Sequence, residues 1–320
     1  MTPRDHTPSF DHFIAASNLP RAEARRLLAH ITGRPLTWFI AHGDDAVAPD
    51  TAAAFEALAA RRRAGEPLAY LLGEQAFYGR QFGVSPAVLI PRADTETLIE
   101  AALEKRRMMG IGPVILELGT GSGIIAITLA LEIPEAVVHA IERSPEAMAV
   151  AQKNANALGA RDIRWHLGSW WNALSTPPAP DTGNDTHAAA PASGAPEVTA
   201  PAPDAMRPAS HSFDLIVSNP PYIASGDHHL REGDLRFEPS QALAAGADGL
   251  DDLRILIDGA PCWLKPGGWL LLEHGYDQGA AVRQLLAALG FDAVFTRQDL
   301  GGNDRVSGGM LPDSGGHGRC

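Results

Sequence analysis

Residues 114–123 read Val-Ile-Leu-Glu-Leu-Gly-Thr-Gly-Ser-Gly, an apolar run that passes directly into a glycine-rich loop. The run has the length of a buried strand, and a helical pattern through Ala130 follows the loop. Glycine lets a backbone turn tightly and approach a ligand, and the first turn of a helix presents free N–H groups. The segment therefore predicts a strand, a ligand-binding loop and a helix in succession.

The next predicted strand, residues 136–141, is followed directly by the acidic residue Glu142, about 20 residues beyond the glycines. A carboxylate at this position can accept hydrogen bonds from both hydroxyls of a ribose. The glycine spacing departs from the dinucleotide fingerprint, and the absence of a following Lys-Ser or Lys-Thr pair excludes a P-loop. Together the loop and the acid favour an adenosine-type cofactor over a purely structural turn.

Further strands and helices alternate along the chain. Strands are predicted at residues 162–167, 213–217, 268–273, 291–296 and 305–310, and helices at 94–107, 145–158, 250–264 and 280–289. This alternation predicts an α/β fold with a doubly wound, largely parallel sheet that leaves room for an antiparallel edge. Asp94 or Thr95 is placed to cap the first of these helices. Because ligands bind beyond the carboxyl ends of strands in such sheets, we expect the glycine loop, Glu142, Trp170 and Asn219 to converge on one cleft.

The N-terminal region has a different pattern. Residues 21–31 and 50–63 predict amphipathic helices, and residues 68–84 predict a hairpin that turns at Gly79 and Arg80. We therefore expect a helical domain at 1–74, a hairpin linker at 75–93 and an α/β domain at 94–310. Within the last, residues 175–211 are rich in proline and alanine and predict a disordered insertion, and 311–320 predict a flexible tail.

Composition excludes several classes of function. The formal net charge of −12 disfavours a protein whose affinity depends on neutralising nucleic-acid phosphates. Cys262 and Cys320 are too few and too far apart for a disulfide framework or a cysteine metal site, and no apolar run approaches the ~18 residues of a membrane span. For Asp227-His228-His229 a solvated loop is favoured over a metal site. We expect a cytoplasmic protein without a resident metal.

Residues 218–222 read Ser-Asn-Pro-Pro-Tyr and follow the strand at 213–217. The two prolines stiffen the turn and leave its carbonyls free to accept hydrogen bonds. Asn219 adds an amide acceptor and donor, and Tyr222 adds a flat wall with a polar tip. Acceptors beside a flat wall suit a planar N–H₂ group, whereas the motif taken alone is equally typical of a turn that only ends a strand.

The glycine loop with its strand-terminal acid, together with Asn-Pro-Pro-Tyr, resembles the class I S-adenosylmethionine-dependent methyltransferases that modify planar amino or amide nitrogens. Residues 65–73, 89–96 and 236–239 further resemble the HemK-type peptide-chain release factor glutamine methyltransferases. The resemblance implies a Rossmann-like sheet with a small N-terminal helical domain and a linking β-hairpin. It also implies N5-methylation of the glutamine in the Gly-Gly-Gln loop of release factors, with S-adenosylmethionine as cofactor.

The resemblance also implies roles for individual residues. Those assigned to the cofactor are Gly119, Thr120, Gly121, Ser122, Gly123, Glu142, Trp170 and Asn219. Those assigned to the substrate glutamine are Asn219, Pro220, Pro221 and Tyr222, of which Asn219 and Pro220 are the catalytic pair. The family usually has aspartate where Glu142 stands, proline at Ala93 and an acid at Ser169, so this chain departs from the family pattern at three positions.

Three other functions stay open at this point. A glutamine methyltransferase of a large-subunit ribosomal protein would use the same chemistry. A nucleic-acid N6-adenine methyltransferase would fit the same turn, although the net charge and the lack of a basic recognition domain argue against it. A non-catalytic adenosine-binding protein is the third. For the release factor glutamine methyltransferase that the resemblance implies, a release factor is the expected partner. The helical domain is its expected docking surface.

Overall fold

The computed structural model describes residues 8–175 and 212–313, and its first part is helical. The helices of this part are α1 (Phe10–Ala16), α2 (Arg21–Thr32), α3 (Trp38–Ala41), α4 (Pro49–Arg63) and α5 (Leu68–Leu72). Their apolar faces form a small core that includes Leu27, Phe39 and Phe55. The two helices predicted here are confirmed as α2 and α4.

A two-stranded antiparallel hairpin, β1 (Glu74–Phe77) and β2 (Arg80–Gly83), follows the helices. Tyr78 and Gly79 form its turn, one residue earlier than predicted, with φ values of 47° and 73°, the conformation that two-residue hairpin turns favour. Residues 68–72, which the sequence assigned to the hairpin segment, instead form α5. That helix starts after Pro67 and is buried at all positions but Leu68. A continuous apolar run fits a buried helix as well as a strand, so periodicity could not separate the two.

Seven strands form the central sheet in the order β5-β4-β3-β6-β7-β9-β8. They are β3 (Val114–Leu118), β4 (Val137–Glu142), β5 (Ile163–Leu167), β6 (Phe213–Ser218), β7 (Leu264–Glu273), β8 (Asp292–Gln298) and β9 (Asp304–Met310). Strands β3 to β7 pair in parallel, and β9 runs antiparallel between β7 and β8. The predicted largely parallel sheet with an antiparallel edge is confirmed.

Helices cover both faces of this sheet, as its doubly wound architecture requires. They are α6 (Glu96–Arg106), α7 (Ile124–Glu132), α8 (Pro145–Leu158), α9 (Asn172–Ser175), α10 (Asp251–Gly259) and α11 (Gly279–Ala288). Successive residues of β3 face opposite sides, since Ile115 packs with α6 and α7 while Leu116 packs with α10 and α11. The core is therefore two apolar layers with the sheet between them.

The strand order reverses at the pair β3 and β6. From β3 the chain continues outward through β4 and β5, and it then returns to place β6 on the other side of β3. Crevices that bind ligands open at such reversals, beyond the carboxyl ends of the strands. The glycine loop follows β3 and Asn219 follows β6, so the topology places both at the same crevice.

One local prediction is wrong: the Thr95 side chain does not cap α6. Residues Ala93–Thr95 form a 3-10 turn ahead of the helix, and the Thr95 side chain makes no hydrogen bond with the helix N-terminus. Asp94 pairs instead with Arg305, 3.4 Å away on β9. Both side chains are drawn toward the sheet by tertiary contacts that a local pattern does not show.

Two predicted segments fall on parts of the chain that the structure does not describe. The predicted insertion at 175–211 lies outside the described residues except for Ser175, which ends α9. The predicted tail lies outside them from residue 314 onward. Within residues 8–175 and 212–313, every helix is too short or too polar to cross a membrane.

Candidate active site

A cleft of about 920 Å³, its open mouth included, lies at the carboxyl ends of β3, β4 and β6. The predicted site residues that line it are Gly119, Thr120, Gly121, Ser122, Glu142, Trp170, Asn219 and Pro221. Gly123, Pro220 and Tyr222 are adjacent in the chain and do not line it in this structure. Eight of the eleven predicted cofactor and substrate residues thus line a single cavity.

Two glycines shape the loop between β3 and α7. Gly119 has φ +79°, and a Cβ there would lie 3.2 Å from the ring of Trp170. Gly123 is the N-terminal cap residue of α7 with φ +85°, and a Cβ there would lie 2.7 Å from Ile127 Cδ1. A side chain at either position would be strained and crowded, so these glycines let the loop pass close to both the indole and the helix.

The Glu142 carboxylate is bound to backbone at the end of β4. Its Oε2 accepts from the Gly121 N–H at 2.9 Å, and its Oε1 accepts from the N–H groups of Arg143 and Ser144 at 2.8 and 2.9 Å. Two carboxylate oxygens offer about four acceptor positions, so in this arrangement one remains. The acid therefore fixes the glycine loop and, without a change of partners, can accept one further hydrogen bond rather than the two expected from the sequence.

Glu117 is a cleft residue to which the sequence analysis gave no role. It is fully buried, and its Oε2 accepts from the Thr120 hydroxyl and from the Ala126 N–H at 3.0 Å. Its Oε1 is buried without a hydrogen-bond partner among the described residues. Burial raises the pKa of this carboxyl to about 8, although both hydrogen bonds act to lower it. The signal in the sequence that could have identified it is an acidic residue inside an otherwise apolar strand.

Trp170 forms a wall beside the glycine loop. Its ring faces Gly119, and its indole N–H donates to Asp252 Oδ1 at 3.1 Å, which fixes the ring. The residue has a positive φ of 44°, a conformation that non-glycine residues adopt uncommonly. The contact with Asp252 on α10 ties this wall to the layer of helices against which Trp170 packs.

The Asn-Pro-Pro-Tyr turn is held from both ends. The Ser218 hydroxyl donates to the Leu118 carbonyl at 2.6 Å and joins β6 to β3. The Asn219 Nδ2 donates to the Thr95 hydroxyl at 3.2 Å, so the opposite edge of the amide presents its oxygen. The Tyr222 hydroxyl lies 3.4 Å from Glu273 Oε1 and thus points into the protein; burial and the Glu273 charge raise its pKa.

A further wall comes from three sequence stretches that lie far apart in the chain. Glu238 is buried and accepts from the Ile90 N–H at 3.0 Å and from the Arg92 guanidinium. Arg236 donates to the Ala64 carbonyl at 2.8 Å, and its guanidinium lies directly against Gly65. Residues 65–73, 89–96 and 236–239 therefore meet through charge-assisted contacts, and the middle stretch lines the cleft.

The Asp227-His228-His229 segment lies on an exposed loop and does not line the cleft. Its candidate ligand atoms lie within 4.8 Å of one another. Asp227 accepts from both the backbone N–H and the ring of His229, at 2.9 and 2.7 Å, and caps a short 3-10 helix. These bonds give the carboxylate a local structural role.

Comparison with known proteins finds matches along most of the chain. Residues 10–73 match the model of the PrmC N-terminal domain, and residues 97–183 match that of a precorrin methyltransferase domain. A release factor glutamine methyltransferase of Bordetella pertussis is 46% identical over 93% of this chain and 97% of its own, and one of Xylella fastidiosa is 44% identical over 93% and 96%. Among solved structures, a methyltransferase from Pyrococcus furiosus aligns with a TM-score of 0.46 at 17% identity, over 79% of this chain and 97% of that chain.

Proposed function

Because the chain belongs to the family of release factor glutamine methyltransferases, we propose that it methylates the side-chain nitrogen of the glutamine in the Gly-Gly-Gln loop of a peptide chain release factor, with S-adenosylmethionine as methyl donor. Family membership rests on 46% identity across nearly the full length of both chains. The observation in the site that carries the proposal is the Asn219 amide, whose nitrogen is engaged by Thr95 and whose oxygen is thereby left for a ligand.

The residues of the cleft fit the proposed cofactor. The sulfonium of S-adenosylmethionine supplies an electrophilic methyl group. Gly119 lies too close to Trp170 for a side chain, which leaves a narrow slot beside the loop. Glu142 keeps one acceptor position for a hydroxyl, and the cleft volume of about 920 Å³ is within the range of cofactor sites.

Asn219 and Pro220 would act on the nitrogen of the substrate amide. An amide nitrogen is a weak nucleophile because its lone pair is delocalised into the carbonyl. If the Asn219 oxygen and the Pro220 carbonyl each accept one of its two hydrogens, electron density shifts toward nitrogen and the amide plane is fixed. The nitrogen becomes acidic only after the methyl group is attached, so its proton can leave to water and no general base is needed.

The N-terminal helices are proposed as the docking surface for the release factor, in a cytoplasmic enzyme. Within the described chain, the helical part is joined to the loop after the Asn219 turn, because Arg62 on α4 pairs with Glu23 on α2 and with Asp234, at 2.7 and 3.3 Å. A partner bound to these helices would thus lie near the loop that contains Asp234, and this loop follows the Asn219 turn in the chain.

Mass spectrometry after incubation with S-adenosylmethionine tests the proposed function. The samples are a release factor, large-subunit ribosomal proteins and a duplex oligonucleotide, each with the wild-type enzyme. We expect a gain of one methyl group only on the release-factor peptide that carries the glutamine. A gain on a ribosomal protein or on adenine, with none on the release factor, would replace the proposed substrate.

A further inference from the structure

The carbonyl of Tyr222, the last residue of the Asn-Pro-Pro-Tyr turn, is held by a residue to which the sequence analysis gave no role. Gln278 lies directly before α11, and its Nε2 donates to this carbonyl at 3.0 Å. Its Oε1 accepts from the Gly275 N–H at 2.9 Å. The side chain makes no capping hydrogen bond with α11, so its amide serves these two contacts.

The two backbone partners determine which way the Gln278 amide points. A carbonyl only accepts and a backbone N–H only donates, so Nε2 must face Tyr222 and Oε1 must face Gly275. Tyr222 follows β6 and Gly275 follows β7, and Gln278 is 56 positions from Tyr222 in the chain. The amide therefore joins the turn after β6 to the turn after β7.

The peptide group between Tyr222 and Ile223 is held at both of its polar atoms. Its N–H donates to the Leu243 carbonyl at 2.9 Å, while its C=O accepts from Gln278. Gly249 lies against the same carbonyl with φ +75°, and a Cβ there would lie 2.3 Å from the Tyr222 oxygen and 2.7 Å from the Gln278 Nε2. The carbonyl is thus confined between the Gly249 backbone and the Gln278 amide.

The turn needs this second attachment because its prolines make it stiff. Proline fixes its own φ, and a residue before a proline is largely restricted to extended conformations, so residues 219–221 have little internal freedom. A stiff segment keeps its place only if both of its ends are fixed. The Ser218 hydroxyl fixes the first end to the Leu118 carbonyl at 2.6 Å, and Gln278 fixes the second end at Tyr222.

We propose that Gln278 is a positioning residue for methyl transfer, which keeps the Asn219 side-chain oxygen and the Pro220 carbonyl in place to receive the substrate amide. The proposal rests on the proposed function, because their position matters only if these oxygens accept the hydrogens of a substrate N–H₂ group. Gln278 is not among the described residues that line the cleft, so it acts through the turn. Without it the stiff turn pivots and the nucleophile is misaligned, while the cofactor is still held.

Gln278→Glu tests the proposal with the full-length enzyme, a release factor and S-adenosylmethionine. The carboxylate has nearly the same shape and can still accept from Gly275, but it cannot donate to Tyr222. Gln284→Glu is the matched control, because Gln284 is exposed on α11 and the chemical change is the same. We expect kcat of Gln278→Glu to lie roughly 10- to 100-fold below that of the control, with cofactor affinity in calorimetric titration within about threefold. Equal kcat values, or a parallel loss of cofactor affinity, would overturn the proposal.

A double-variant cycle separates positioning from a general loss of structure. Gln278→Met keeps the length of the side chain and adds no charge, so this test does not depend on the folding of the glutamate variant. We expect a loss in single-turnover rate of at least about tenfold in the wild-type background and of less than about threefold in Asn219→Ala, where the alignment is already lost. The same loss in both backgrounds is the result of a merely structural role and would overturn the proposal.

The wild-type enzyme distinguishes a failure of this inference from a failure of the proposed function. If the wild type methylates no release factor, the proposed function fails and the inference fails with it. If the wild type is active and the Gln278 variants are as active as Gln284→Glu, only the role of Gln278 is refuted.

Discussion

Replacing Asn154 by alanine should both destabilise the protein and loosen the glycine loop. Asn154 lies on α8, is 4% exposed, and joins three elements through its side-chain amide. Its Nδ2 donates to the carbonyls of Ser122 in the loop and Gly83 in β2, at 2.8 and 2.9 Å, and its Oδ1 accepts from the Gly83 N–H at 2.7 Å. One side chain thus fixes the hairpin and the loop to the same helix.

The size of the effect follows from these contacts. Three hydrogen bonds contribute about 1 kcal/mol each, and leaving buried backbone groups without partners costs roughly 1–3 kcal/mol more. Alanine returns about 0.5 kcal/mol of helix propensity. We therefore expect the free energy of unfolding of Asn154→Ala to fall by about 3.5–5.5 kcal/mol.

Asn156 on the same helix provides the matched control because it is exposed, so Asn156→Ala makes the same chemical change without the buried contacts. Urea titration of both variants isolates the contribution of the contacts, and calorimetric titration with S-adenosylmethionine reports on the loop. We expect Asn154→Ala to bind the cofactor at least about tenfold more weakly than Asn156→Ala. If the free energies of unfolding of the two variants differ by less than about 1 kcal/mol, Asn154 does not act as the structure indicates.

Two further predictions concern the cleft. The stability contributed by Glu117 should fall as pH rises from about 5 to 8, because its carboxyl loses its proton near pH 4.5 in the unfolded chain and holds it to about 8 when buried. Denaturant titrations at both pH values should therefore show a less favourable change for the wild type than for Glu117→Gln, and an equal change in both would contradict the assignment. Gly119→Ala should weaken cofactor binding at least about tenfold, because the positive φ strains an alanine and its Cβ would crowd the Trp170 ring. Gly110→Ala is the control, since a Cβ there meets open space and should leave the affinity unchanged. Equal affinities of the two variants in calorimetric titration would refute this.

The sequence predicted the elements of the sheet because their residues carry a local signal. The strands are short apolar runs, and the glycine loop, Glu142 and Asn219 follow three of them directly. Because these strands are parallel, their carboxyl ends lie at the same edge of the sheet. The sequence was therefore sufficient to predict that the three features lie close together. The position of β9 between β7 and β8 was not predicted, since strand order is fixed by pairing between distant segments.

The parts that sequence reasoning missed depend on contacts between distant residues. Thr95 has the residue type and position of a helix cap, yet its hydroxyl accepts from the Asn219 amide, 124 positions away. The contact of the Tyr222 hydroxyl with Glu273, 51 positions away, was likewise not predicted. Asn154 was one polar residue in a helix until the fold placed it against the glycine loop. None of these partners is visible to a local pattern.

Methyl transfer by Asn219→Ala tests the central claim most directly. The rate of one turnover on a release factor and the affinity for S-adenosylmethionine are measured on the same preparation, with Asn156→Ala as the control of the same residue type. We predict a rate at least about 100-fold below wild type with cofactor affinity within about threefold. A rate near that of the wild type would contradict the role of the Asn219 oxygen and with it the proposed alignment of the substrate amide.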